Sequence, residues 1–359
     1  MLLEHRVARV TLGVVSVLTG VAVLATILQS TPSYLQPLNK RCLAPVLAPE
    51  DSHISLPGLD RLICILVPFF VDCSRTDYGR LTVQLLMSFV GPITLLQLVE
   101  ASRVGNRWSM LACMPFAAIF SWSTGIGIYL PLFFVPLMIK ARSRVESSVS
   151  GSAVPLARVY AILTACALNL VALASFFAPG PDSVGEGNSW LPQSTVATVV
   201  LQLSLWSIYT ILTWVLEATA VPTPKTERAQ ADQELRARHL LRDSFLVLVG
   251  MTTYTHVMTL KGFWQGTTPV GHLAKAFDHA FRLEHDYYAP AYFLFWDFIG
   301  AVCGSFFWIL SDAETLREPA LFLAVSPILS PGSALMLYAA RREQRMMDAI
   351  LANNKQKLQ

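Results

Sequence analysis

Charge is what this chain has least of. Asp, Glu, Lys and Arg make up only 14% of its 359 residues, against about 25% in a soluble domain. The net charge of +3 is small and spread over loops, which excludes a basic face for nucleic acid. The six cysteines, Cys42, Cys64, Cys73, Cys113, Cys166 and Cys303, form no Cys-x-x-Cys pair. Most lie in apolar runs, where cysteine acts as a small hydrophobe. Neither a disulfide framework nor a zinc site is expected. No Asn-x-Ser/Thr acceptor occurs. Asp-Asp-x-x-Asp and Asn-Asp-x-x-Asp are missing too, so a magnesium–diphosphate mechanism lacks its ligands. The chain also has no P-loop, Gly-x-Gly-x-x-Gly or Gly-x-Ser-x-Gly. Any chemistry is expected to be acid–base chemistry without cofactor or metal.

Long apolar runs are what the chain has most of. Hydrophobic residues make up 53% of it, and the mean hydropathy is +0.49. A membrane span needs about 20 apolar residues. The candidate stretches are Val10–Gln29, Leu62–Asp72, Leu81–Glu100, Trp108–Ile139, Val154–Phe177, Leu191–Leu216, Ser244–Leu260, Ala291–Leu310 and Pro319–Ala340. They predict an all-α polytopic transmembrane bundle of eight or nine spans, with residues 1–359 forming a single integral membrane domain. The first run reads as a retained anchor. The second is short. The fourth is too long for one straight helix, and Pro115, Gly125, Gly127 and Pro131 predict a kink or a re-entrant break in it. The last contains Pro327 and Pro331, which leaves its spanning open.

Loop charges set the orientation. Lys140–Arg144 is basic, Pro179–Trp190 has no Lys or Arg, and Pro222–Arg242 carries five basic residues. This places the N-terminus and residues 217–243, a charged and solvated helical loop, in the cytoplasm. With nine spans the basic tail falls outside, against the rule; with eight it falls inside. Residues 263–289 read as an amphipathic interfacial loop, with Leu273, Phe277 and Phe281 at helical spacing. His272, His279 and His285 between them do not share one face, so no metal site is expected there.

Two carboxylates fall inside apolar stretches, where a charge costs about 2.5–3.5 kcal/mol on insertion scales and marks a site. Asp297 shares a helix face with Phe293, Gly300, Ala301, Gly304 and Trp308. Gly300-x-x-x-Gly304 lets another helix approach closely, so Asp297 faces the bundle. Glu100 continues a polar stripe from Thr94 and Gln97. The expected orientation puts both carboxylates toward the non-cytoplasmic leaflet, as a catalytic pair. The plain alternatives are a structural carboxylate at Asp297 and an interfacial pair of Glu100 with Arg103 or Arg107. Glu217, Asp72, Asp77 and Asp60 read as interfacial. Asn169, Tyr254 and His256 lie inside spans and either line a cavity or bond a neighbouring helix. Trp122, Tyr129, Trp206, Tyr209 and Trp308 pack the bundle by default. As cavity walls, their π-faces would stabilise a cation.

The segment Trp122-Ser-Thr-Gly-Ile-Gly-Ile-Tyr129-Leu-Pro131-Leu-Phe133-Phe resembles the Gly-x-Gly-x-x-Leu-Pro-Leu-Tyr/Phe stretch of fungal integral membrane proteins from terpenoid gene clusters. These include membrane-bound terpene cyclases of ascochlorin-type meroterpenoid pathways and related indole-diterpene pathway proteins. Length, helix count and order of features resemble that group over most of the chain. The resemblance implies an acidic residue in an early helix and another in a late one, which protonate an epoxide. Glu100 and Asp297 match by rank. A carboxyl group sunk in an apolar bundle can stay protonated and act as a general acid. The expected function is an acid-initiated terpene cyclase of isomerase or lyase type, acting on an (epoxy)prenyl chain in the endoplasmic reticulum membrane. The expected partners are a hydrophobic prenylated substrate, membrane lipid and other pathway enzymes. A transporter for a hydrophobic metabolite would predict inverted repeats, and none is found. A non-catalytic membrane partner of the pathway would leave both carboxylates dispensable.

Overall fold

The computed structural model describes residues 6–42, 57–74, 77–106, 109–113, 117, 120–121, 123–146, 149–174, 190–219, 226–264 and 289–357. Among them every regular element is helical. The principal helices are α1 (Arg6–Cys42), α2 (Pro57–Ser74), α3 (Asp77–Ser102), α4 (Ile126–Tyr129), α5 (Val135–Glu146), α6 (Leu156–Ala174), α7 (Trp190–Thr219), α8 (Glu227–Trp264), α9 (Ala289–Asp312), α10 (Arg317–Leu329) and α11 (Pro331–Lys357). Three stretches among the described residues are long and apolar enough to cross a membrane: Ala8–Gln29, Tyr78–Ser102 and Pro290–Asp312.

Charged contacts mark one end of the bundle. Glu100 near the end of α3 and Asp312 at the end of α9 both pair with Arg342 of α11. Arg142 of α5 donates to the Asp312 carbonyl at 3.1 Å. Arg158 of α6 donates to Glu217 of α7 at 3.1 Å. The other end is aromatic. Phe69 of α2 meets Phe293 of α9 edge to face at 5.4 Å, and the Tyr78 ring lies 6.5 Å from Phe295. Helices α3, α5 and α9 therefore run toward the charged end. Helix α1 runs away from it, with Gly13 beside Ile139, Gly20 beside Leu132 and Ile27 against Ile128.

Two expectations change here. Helix α1 continues past the aromatic end to Cys42, which is disulfide-bonded to Cys64 of α2. The expectation of no disulfide treated both thiols as buried hydrophobes. The fold instead sets these two helices side by side, with the cysteine Cα atoms 5.7 Å apart. From there α2 returns to the level of Phe69, where α3 begins. It stays at the aromatic end, so the stretch Leu62–Asp72 does not cross the bundle.

The long fourth stretch goes out and back. Val104 donates to the Ala153 carbonyl at the charged end at 2.9 Å, whereas Gly125 lies against Asp297. The chain turns at Gly125 with φ +101°, a left-handed backbone that only glycine adopts without strain. Pro131 and Pro136 have no amide to donate. The Val135 N–H bonds the Leu130 carbonyl, and the chain widens into a π-helical turn over Leu130–Phe134 before α5.

The last stretch is a hairpin rather than one span. Ser330 accepts the Ser333 N–H at 2.9 Å and caps α11, whose first residue is Pro331, a favoured pair of positions for these residues. Helix α11 doubles back on α10, and Arg345 pairs with Glu318. The basic tail thus emerges at the charged end, the end from which α1 starts.

Candidate functional site

Asp297 lies partway along α9 and is buried. Its Oδ1 accepts the Gly127 N–H at 2.7 Å. The first amides of a helix have no partner within it, so this carboxyl caps the start of α4 from a distant part of the chain. Close packing makes that reach possible. A Cβ on Gly127 would strike the Asp297 carbonyl, and one on Gly300 would strike the Gly127 carbonyl. The aromatic rings of Phe293, Phe69 and Phe298 lie at the same end. The arrangement offers one carboxyl, oriented by the Gly127 amide in an apolar setting.

Glu100 stands elsewhere. Its Oε1 accepts Arg103 Nε at 3.0 Å and also Arg342 Nη1. Arg103 Nη2 donates to Glu343 Oε1 at 2.5 Å, and Arg238 Nη1 to Glu343 Oε2 at 2.9 Å. Arg342 Nε lies 2.9 Å from Asp312. Helices α3, α8, α9 and α11 are thereby tied in one buried ion layer. Burial alone would push the Glu343 carboxyl up, but Arg103, Arg238 and Arg342 outweigh it and hold it below its ordinary value.

The two carboxylates do not share a depth. Phe298, next to Asp297, packs on Phe89 at 6.1 Å, while Glu100 sits at the Asp312 level. Fifteen residues of α9 separate Asp297 from Asp312, about 22 Å at 1.5 Å per residue. The expectation of a common depth assumed that α3 and α9 run in opposite directions; they run in the same one.

The other residues scatter. Phe293 belongs to the Asp297 end. Tyr129 is buried in α4, beside Phe120, Phe133 and Phe134. Tyr209 shares a 2.6 Å hydrogen bond with Ser102 near the charged end. Trp308 is buried there, with the Arg342 guanidinium 5.6 Å from its ring centre. Asn169 is buried in α6. His256 Nε2 lies 3.4 Å from the Pro327 carbonyl, which Pro331 has no amide to satisfy. Tyr254 is 63% exposed on the outer face of α8. Trp206 lies on α7. Trp122 and residues 265–288, with His272, His279 and His285, lie outside the described residues.

Of the ion layer the sequence predicts only the pair of Glu100 with Arg103. The 217–243 loop, expected to be solvated, contains Arg238; Arg342 lies in the basic tail, and Glu343 carries no expectation. All three are buried. A usable signal was the apolar spacing around them: Ala237 and Leu241 on α8, Met347 and Ile350 on α11, all buried.

A family model described as the CtvD domain matches residues 48–327. No curated protein and no solved structure matches the chain.

Proposed function

The chain belongs to the CtvD-domain family, a family of fungal biosynthetic-pathway proteins, and on that premise we propose that it is a membrane-bound terpene cyclase. Asp297 is the proton donor. It protonates an epoxidised or unsaturated prenyl chain, the chain closes through a carbocation, and the final proton returns to the Asp297 carboxylate. The observation that carries this reading is the Asp297 carboxyl, buried beside aromatic rings and oriented by the Gly127 amide. Positioned acids contribute roughly 10²–10⁴-fold to rate. Neighbouring π-faces would stabilise the cation. Glu100, held by Arg103 and Arg342 at the other end of the bundle, takes no part in this step.

The proposed setting is the endoplasmic reticulum membrane, with the charged end in the cytoplasm under the positive-inside rule. Helices α1, α3 and α6–α9 each cross, and the fourth stretch crosses out and back, which makes eight crossings. The hairpin of α10 and α11 enters from the cytoplasmic side and returns. The Cys42–Cys64 bridge then lies on the oxidising, lumenal side, where disulfides persist.

A second reading is a non-catalytic membrane partner of the pathway. It is favoured by the structural use of Asp297 as the cap of α4. Expression with an epoxy-prenyl substrate decides between them. Asp297→Asn keeps an oxygen for the Gly127 amide but removes the acid. Product should vanish under the first reading and be irrelevant to the protein under the second.

A further inference from the structure

A groove runs between α10 and α11. It is apolar along Leu321, Phe322, Val325, Ala334 and Leu337, and charged at Glu318 and Arg341. Phe322 and Ala334 are buried at its floor, and Leu321 is exposed at its edge. Arg345 pairs with Glu318 across the hairpin. Arg341 is four residues nearer the turn at Ser330, so it stands about one helical turn, or 6 Å, inside that pair.

The two charges in the groove differ in how they are matched. Glu318 Oε1 pairs with Arg345, and its Oε2 accepts the Glu314 N–H at 3.0 Å. Arg341 is exposed and makes no ion pair among the described residues. Arg317, in the first turn of α10, is a second exposed cation at this end. The apolar groove therefore ends in positive charge that the described chain does not match. Its complement is an apolar chain that ends in an anion. An arginine suits that junction, since its stem can lie along apolar surface while its charge stays at the interface.

The setting selects a lipid. Leu323 and Ile328 of α10 are exposed too, as residues facing hydrocarbon are in a membrane hairpin. The groove offers about 300 Å³, counting the space open to its surroundings. That is the lower limit of a small-molecule pocket, and it suits a stretch of chain rather than a ring system. Anionic lipids are concentrated in the cytoplasmic leaflet, where they attract basic residues. We propose that the groove seats an acyl chain of an anionic phospholipid, with Arg341 against its headgroup. The inference rests on the proposed orientation in the membrane. It does not depend on chemistry at Asp297, which lies toward the other end of the bundle.

The test counts lipids bound to the detergent-purified full chain by native mass spectrometry. The probes are phosphatidylserine and phosphatidylcholine with the same acyl chains, and farnesyl diphosphate. The first phosphatidylserine should bind about 5-fold more tightly than the first phosphatidylcholine, the effect of one basic residue at a membrane surface. Arg341→Gln should remove that preference. Val325→Phe fills the groove and should weaken both lipids. Arg228→Gln removes an exposed cation of α8 and should change nothing. Equal binding of the two lipids, or a preference that survives Arg341→Gln, would overturn the proposal. So would unchanged binding to Val325→Phe, which would place the lipid elsewhere. A preference lost equally with Arg228→Gln would show a general charge effect and overturn it too. Displacement of phosphatidylserine by an equal concentration of farnesyl diphosphate would make the groove a prenyl site and count against it. If Val325→Phe fails to fold, Arg341→Gln, an exposed change, decides. No product is measured, so an inactive cyclisation assay would leave this site standing.

Discussion

The Asp297 carboxyl takes the amide hydrogen of Gly127 at 2.7 Å, across 170 residues of sequence. One side chain thereby fixes where the fourth stretch turns and where a carboxyl faces the apolar interior. The contact needs the backbones of α4 and α9 to touch, and the glycines at 127 and 300 allow it.

Adding a methyl group at that contact should be costly. Gly300→Ala places a Cβ on the Gly127 carbonyl, a collision with backbone that cannot swing away. Overpacking of this kind costs about 1–3 kcal/mol. The expected result is a lower unfolding midpoint in detergent than for Gly250→Ala, where an added Cβ meets nothing within 4 Å. Equal midpoints would show that the two helices can part freely.

The ion layer should make stability depend on pH in a stated direction. Glu343 is held below its ordinary value by Arg103, Arg238 and Arg342. A depressed carboxyl stabilises the fold above its unfolded value, about 4.3 for Glu, and that stabilisation is lost as pH falls through the folded value. Glu343→Gln should cost about 3–5 kcal/mol at neutral pH, as removal of one partner from a buried pair does. Unfolding midpoints should converge with the unaltered protein as pH is lowered. A gap that stays constant to low pH contradicts this account.

The disulfide should be found in protein taken from membranes. Its cysteines are 22 residues apart, and closing a loop of that size removes unfolded-state entropy worth about 3 kcal/mol. Thiol labelling before and after reduction should gain two reactive cysteines on reduction. Cys42→Ser should abolish the gain and lower the unfolding midpoint.

Tags at the two ends of the chain should lie on the same side of the membrane. The hairpin of α10 and α11 returns the tail to the end from which α1 starts. Protease added outside sealed microsomes should remove an N-terminal and a C-terminal tag alike. Protection of either one would overturn the proposed eight crossings.

The helical class and the apolar stretches of α1, α3 and α9 were legible because each carries a long run with few charges. So was the break near Gly125, since a stretch of that length with Pro115, Gly125, Gly127 and Pro131 cannot stay straight. The crossing pattern was not legible. It depends on α2 lying back along α1 from the Cys42–Cys64 bridge and on the cap of Ser330 and Pro331, both tertiary events. That is why Glu100 and Asp297 looked equally deep. Arg238 reads as solvated because charge in a sequence does not show its partner, and its partner Glu343 comes from another helix.

The most direct measurement is product formation by Asp297→Asn from an epoxy-prenyl substrate, with membrane accumulation measured in the same cells. The asparagine oxygen can still hold the Gly127 amide, so the protein should accumulate normally. Product should fall by roughly 10²–10⁴-fold, while Glu217→Gln, at the half-exposed pair with Arg158, should stay near the unaltered level. Normal product from an accumulated Asp297→Asn protein would contradict the account.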